Sequence, residues 1–206
     1  MKVSLTDAGK RFNRDWVFRH LTYTFDQNNS YAIVGPNGSG KSTLLQVLSG
    51  AMQASEGNCQ WTIGKGQSAD EDVYSYVALC APYLELVEEM TLKEFLEFHS
   101  RFKPFLGSVD IVSIVSIIGL QGAMNKQIRF YSSGMKQRVK LAQAFFSDTP
   151  FLLLDEPCTN LDTAGIELYN ELVNGYCKNR LVIVSSNDEV EYKFCKERIN
   201  VVDYKQ

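Results

Sequence analysis

The chain has 206 residues, 45% of them apolar and 22% charged, with a formal net charge of −3. That length suits one domain, or one domain with a compact insert, and buries enough core to fold without disulfides or a structural metal. The acidic balance argues against a general binder of nucleic acid or of an anionic membrane surface, because both call for a basic face. Cys59, Cys80, Cys158, Cys177 and Cys195 form no CxxC pair and read as reduced thiols in a cytosolic protein rather than a disulfide frame or zinc site. The only two histidines are His20 and His99. The N-terminus lacks the apolar core of a signal peptide, and no window holds ~18 consecutive apolar residues. A role at a membrane would therefore need a separate membrane chain.

Val3 and Leu5 alternate with polar neighbours, as does LTYTF at 21–25, and that period of two predicts strands. SYAIVG (30–35) predicts a buried strand. LLQVLSGAM (44–52) places Leu44, Leu45, Val47 and Leu48 on one helical face that Gly50 ends. QWTI (60–63) predicts a short strand, and YSYVALCA (74–81) a stronger one closed by Pro82.

TLKEFLEFHSRF (91–102) opens with Thr91 and has Glu94 three residues on, a capping-box signature. SVDIVSIVSIIGL (108–120) is β-branched enough for a strand, but its length and Ser108 at its head favour a helix ended by Gly119. A basic helix at 134–146 leads into FLLLDEP (151–157). A helix (163–175), a strand (180–186), a short helix (188–195) and a last strand, INVVDY (199–204), complete the chain. Strands alternating with helices predict an α/β fold around a mainly parallel sheet. The stretch from about 84 to 132 reads as a helical subdomain, inserted between core segments 1–83 and 133–206.

GPNGSGKST runs from Gly35 to Thr43 and fits G-x-x-x-x-G-K-[ST] through Gly35, Gly40, Lys41 and Ser42. Its context, a buried strand before and a helix after, is the one the chemistry needs. Gly38 and Gly40 let the backbone turn and approach a polyphosphate, with successive N–H groups pointing inward. The following helix adds its positive end. Lys41 brings a charge to the terminal phosphates and Ser42 a hydroxyl for Mg²⁺. FLLLDEP delivers Asp155 and Glu156 to the carboxyl edge of the sheet, where ligands of open α/β folds bind. Asp155 would hold Mg²⁺, and Glu156 would polarise an attacking water.

YSSGMKQR (131–138) resembles the signature LSGGQ-x-QR of the ATP-binding cassette (ABC) ATPases. Ser132 and Gly134 match it, and Tyr131, Ser133 and Met135 depart from it. Ser132 lies 23 residues before Asp155, as that family's spacing has it. TNLD (159–162) resembles the family's D-loop, with Asp162 as its acid. Phe12 stands where the family carries an aromatic residue that stacks on adenine, with Trp16 the second choice.

The resemblance covers nearly the whole chain. It implies a P-loop NTPase of the ABC type, with a mainly parallel core, an N-terminal antiparallel β portion and an inserted helical subdomain. It also implies that ATP and Mg²⁺ bind between two head-to-tail cassettes. The loop Gly35, Pro36, Asn37, Gly38, Ser39, Gly40, Lys41, Ser42 and Thr43 would hold the nucleotide from one side. Ser132, Ser133 and Gly134 would reach it in trans.

Two positions depart from the family. Asn187 stands at the place of the switch histidine, and both histidines of the chain precede Asp155. Asn donates a neutral hydrogen bond but carries no proton near pH 7. Pro82 stands at the place of the Q-loop glutamine and offers no side-chain ligand. These departures put fast turnover in question and leave nucleotide binding in place.

The leading expectation is the ATP-driven motor of an ABC transporter. It would sit on the cytoplasmic side of a membrane, pair with an identical or related cassette, and attach to a separate transmembrane permease. The competing classes are a regulatory cassette with little hydrolysis, and a cassette acting on nucleic acid or ribosomes. Against the last stand the negative charge and the absence of a tandem cassette.

Overall fold

The computed structural model describes residues 1–27, 29–64, 66–68 and 72–205. In chain order the elements are β1 (Lys2–Phe12), β2 (Asp15–Asp26), β3 (Ser30–Val34), α1 (Lys41–Leu48), β4 (Glu56–Ile63), β5 (Gln67–Ser68), α2 (Val73–Tyr76) and β6 (Val77–Cys80). Then come α3 (Leu92–Ser100), α4 (Ile111–Ile117), α5 (Ser133–Phe146), β7 (Phe151–Asp155), α6 (Thr163–Tyr176), β8 (Leu181–Ser185), α7 (Glu189–Tyr192) and β9 (Glu197–Asn200). The chain divides into two compact units.

The first unit comprises Met1–Leu79, Pro150–Glu156 and Asn179–Gln206. It contains a four-stranded sheet in the order β2-β1-β4-β5, whose strands pair antiparallel. Its second sheet has five strands in the order β6-β7-β8-β3-β9, and β7–β8, β8–β3 and β3–β9 run parallel. Every residue of β7 and of β8 is buried, as a central parallel strand covered on both faces must be. The core joins the two sheets to α1 through Phe18, Phe25, Leu44, Leu48, Leu153 and Ile183. Trp61 lies among them and donates its indole N–H to the Leu48 carbonyl at 2.8 Å.

The second unit comprises Cys80–Thr149 and Pro157–Lys178. Its helices are α3, α4, α5 and α6, so it takes in the signature helix and the helix after TNLD as well as 84–132. The capping box is present: Glu94 N–H donates to Thr91 Oγ1 at 3.3 Å, and Thr91 N–H to Glu94 Oε2 at 2.8 Å. The Thr91 N–H, with the Thr91 hydroxyl that also donates to Glu94 Oε2 at 2.8 Å, holds the Glu94 carboxyl below its usual range.

Three elements differ from the sequence reading. The segment 74–81 is half strand, because Val73–Tyr76 forms a helical turn before β6 begins. The helix expected from Ser108 starts at Ile111, where Asp110 caps it by accepting Ser113 N–H at 2.7 Å. A carboxylate caps as well as a hydroxyl and adds a favourable charge at the positive helix end. The last strand stops at Asn200, whose side chain accepts Val202 N–H and starts a 3-10 turn over Val201–Tyr204.

Candidate nucleotide-binding site

The phosphate-loop residues all lie in the first unit. β3 ends at Val34, and the loop turns through Gly35, Gly38 and Gly40, all with positive φ. Gly40 is the most constrained. Its φ is 105°, and a Cβ there would stand 2.1 Å from Val17 Cγ1 of β2. The antiparallel sheet thus abuts the loop through one valine, a contact the motif does not announce.

Lys41 is 5% exposed, and its Nζ donates to the carbonyls of Gly35 at 2.9 Å and Pro36 at 3.3 Å. Two neutral carbonyls are modest partners for a buried ammonium, and an anion is the stronger one. Ser39 Oγ is buried with no hydrogen-bond partner. α1 begins after Gly40 without a side-chain cap or an acid in its first turn, so its leading N–H groups and positive end are free for a phosphate. Ammonium, orphaned hydroxyl and uncapped helix all fit a polyphosphate. Ser42 and Thr43, the next two helical residues, are partly exposed.

The two acids follow from strand register. Ser185, the last residue of β8, stands opposite Ile33 of β3 on one side and Asp155 of β7 on the other. The three strands therefore end together at one sheet edge. Asp155 is 2% exposed and accepts a hydrogen bond from Ser185 Oγ at 2.6 Å. Glu156 follows at φ 42°, a left-handed conformation that costs a non-glycine residue energy and turns the chain off the strand. Its N–H donates to the Ser185 carbonyl at 2.9 Å. Asn187 Nδ2 donates to Asn37 Oδ1 at 2.6 Å.

Phe12 ends β1 and is 48% exposed, with Lys10 Nζ 5.5 Å from its ring centroid. Trp16 is engaged already: the guanidinium groups of Arg11 and Arg19 lie 5.3 Å and 4.5 Å from its ring. A Cβ on Gly9 would meet that ring at 3.0 Å. Phe12 is the more available of the two.

The signature and D-loop residues lie in the second unit. Ser132 caps α5, its Oγ accepting Met135 N–H at 3.2 Å. Tyr131, at the family's Leu position, is buried and donates its hydroxyl to the Ala123 carbonyl at 2.7 Å. A Cβ on Gly134 would come to 3.0 Å from the Asn160 carbonyl, so TNLD passes directly over the start of α5. Asp162 caps α6 by accepting Gly165 N–H at 2.8 Å and pairs with Arg138 at 3.3 Å. The Gly165 bond, aided by Arg138, holds its carboxyl below the usual range. Ser132, Ser133, Gly134, Arg138, Asn160 and Asp162 help line a cavity of about 590 Å³. At the Q-loop position, the carbonyls of Ala81 and Pro82 accept Lys140 Nζ at 3.4 Å and 2.8 Å.

Sequence reasoning missed Ser185 and Val17, and it named Ser39 in the loop without its orphaned hydroxyl. Ser185 had a signal, a polar residue closing an otherwise apolar strand. Val17 had none, since its contact with Gly40 is made by the fold. Among the described residues no three His, Cys, Asp or Glu side chains cluster as a metal site. No helix among them is long and apolar enough to cross a membrane.

The ABC transporter family model matches residues 18–159. The chain is 28% identical to the cytochrome c biogenesis ATP-binding export protein CcmA of Haemophilus influenzae, over 99% of this chain and 97% of that one. It is 29% identical to an uncharacterized ABC transporter ATP-binding protein of Bacillus subtilis, YybJ, over 92% of this chain and 86% of the relative. Among solved folds it resembles a bacterial ABC transporter cassette determined as a dimer. The TM-score is 0.82 at 19% identity, with 97% of this chain and 94% of that one covered. The family match runs through the phosphate loop, the signature and both acids, and with it the chain is placed: it belongs to the ABC transporter family, as an ATP-binding cassette.

Proposed function

We propose that this cassette hydrolyses ATP as the motor of an ABC membrane transporter. It would work head to tail with a second, identical or related cassette and be held at the cytoplasmic face by a separate transmembrane permease. The observation that carries the reading is the prepared phosphate loop, with buried Lys41, uncapped α1 and orphaned Ser39 Oγ.

In this reading Phe12 stacks on the base. Gly35–Thr43 wrap the phosphates with backbone N–H groups, and Lys41 neutralises charge on the terminal ones. Ser42 and Asp155 offer a hydroxyl and a carboxylate, oxygen donors that suit Mg²⁺. When bound, Mg²⁺ would neutralise charge on the phosphate oxygens. Glu156 accepts a hydrogen bond from the attacking water, whose oxygen bonds the γ-phosphorus as the bond to the bridging oxygen breaks. Asn187 gives the γ-phosphate a neutral donor. Ser132, Ser133 and Gly134 of the second cassette close over the nucleotide with a helix N-terminus, and Asp162 shapes that edge. CcmA is named as an export protein and the bacterial cassette as dimeric, which supports transport and pairing here.

A second reading is a cassette gated by nucleotide with little turnover. Pro82 and Asn187 favour it, because neither supplies the family's usual ligand at its position. Hydrolysis is tested by phosphate release from the wild type against Glu156→Gln, and pairing with an identical cassette by mass in solution. Glu156→Gln with ATP is expected to double its mass, while Lys41→Ala stays monomeric and loses ATP affinity. Undiminished ATP binding by Lys41→Ala would overturn the site.

A further inference from the structure

β8 is apolar from Leu181 to Val184 and closes on a serine that is 0% exposed. A strand residue there needs no hydroxyl, since the ladder uses only backbone groups. A buried hydroxyl must nevertheless be hydrogen-bonded. Ser185 Oγ donates to Asp155 Oδ1 at 2.6 Å, a short bond to a carboxylate and so of the stronger, charge-assisted kind. The Ser185 carbonyl receives Glu156 N–H at 2.9 Å, where the chain enters its left-handed turn. One residue thus holds the side chain of the first acid and the backbone of the second. The next residue ties the same edge to the loop strand, Ser186 N–H donating to the Ile33 carbonyl at 3.2 Å.

We infer that Ser185 is a positioning residue for ATP hydrolysis. Its hydroxyl sets the rotamer of the Asp155 carboxylate, and its carbonyl sets where Glu156 leaves the sheet. The inference rests on the function proposed above. It separates two properties of the strand end: the backbone bond needs no side chain at 185, while the hydroxyl bond is kept only by serine or threonine. A side chain without the hydroxyl therefore leaves β8 paired and frees only the Asp155 carboxylate.

The experiment compares Ser185→Val, Ser185→Ala and Ser185→Thr in the full chain, reading phosphate release and calorimetric ATP binding with Mg²⁺ and with EDTA. Valine keeps the branched volume of threonine and lacks its hydroxyl, which separates packing from hydrogen bonding. Losing one hydrogen bond to a charged group is expected to lower kcat ~10-fold in the Val and Ala variants, with KM within about threefold. ATP affinity in EDTA should stay within about twofold of wild type, while the gain in affinity on adding Mg²⁺ shrinks about fivefold. Threonine should restore both readouts.

Wild-type kcat and wild-type Mg²⁺ response in Ser185→Val would overturn the inference. So would an equal loss of ATP affinity with and without Mg²⁺, which marks a merely structural role. If the wild type itself releases no phosphate, the proposed hydrolysis falls and a role of Ser185 in it with it, and the Mg²⁺ dependence of ATP affinity in these variants still decides whether Ser185 positions Asp155.

Discussion

Asn187 Nδ2 donates to Asn37 Oδ1 across 2.6 Å, joining the segment after β8 to the phosphate loop. Both partners are neutral amides, so the link does not change between pH 5 and 8. Hydrolysis by this cassette should accordingly lack the acidic limb that a histidine at this position would impose. Asn187→His should introduce one, with an apparent pKa near the ordinary histidine value of ~6.5. Phosphate release measured from pH 5.5 to 8.5 checks this, and identical profiles for the two proteins would contradict it.

Gly40 is locked twice, by φ 105° and by Val17 Cγ1 at 2.1 Å from where a Cβ would stand. Gly40→Ala is expected to cost about 2–4 kcal/mol of stability, from backbone strain plus overpacking, and to abolish ATP binding. Adding Val17→Ala should recover part of the stability, since it removes the clash and leaves the strain. Urea unfolding of the single and double variants reads the difference. A fully stable Gly40→Ala would show that the loop does not need this geometry.

Phe12 is 48% exposed with one cation, Lys10, over its ring, while Trp16 is engaged by two arginines. Phe12→Ala should weaken ATP binding ~5–10-fold, as loss of one base–aromatic stack does, without changing the affinity for inorganic tripolyphosphate. Trp16→Ala should cost ~1 kcal/mol of stability and leave ATP affinity near wild type. Calorimetry with the two ligands distinguishes them, and equal loss for tripolyphosphate would remove Phe12 from the base site.

His99 lies between the rings of Phe95 and Phe105, with centroids 6.4 Å and 5.6 Å away. Its Nε2 is 2.9 Å from Ser147 Oγ, whose own proton goes to the Gln143 carbonyl at 2.6 Å. His99 is therefore the donor of the pair. Burial, aided by Lys103, lowers its pKa from 6.5 to about 4. A histidine depressed on folding stabilises the protein above its unfolded pKa, and that contribution is lost as pH falls from about 6.5 towards 4. His99→Phe should flatten the stability profile over that window. Chemical unfolding at pH 7.0 and 4.5 measures it, and an unchanged slope would show that another group governs the acid limb.

Much of this fold is visible in the sequence because its signals are local. The P-loop glycines, the Thr91–Glu94 box and the apolar run Phe151–Leu154 of β7 each state their structure within a few residues. The misreadings also have local causes. Ser108 and Asp110 are both good caps two residues apart, and only packing chooses between them. INVVDY is as β-branched as a strand, but the Asn200 side chain captures Val202 N–H and curls the chain instead. The site was legible as far as its motifs reach. The contacts that arrange it, Ser185 with Asp155, Val17 with Gly40 and Asn187 with Asn37, join residues 30, 23 and 150 positions apart, and no spacing rule links them.

In the proposed function, ATP is hydrolysed at the edge where β3, β7 and β8 end. Steady-state phosphate release by the wild type and by Glu156→Gln, each alone and with the purified permease partner, tests it most directly. Slow release by the wild type and background release by Glu156→Gln are expected, with ATP binding retained in both. Wild-type release no higher than that of Glu156→Gln in both conditions would contradict the proposal.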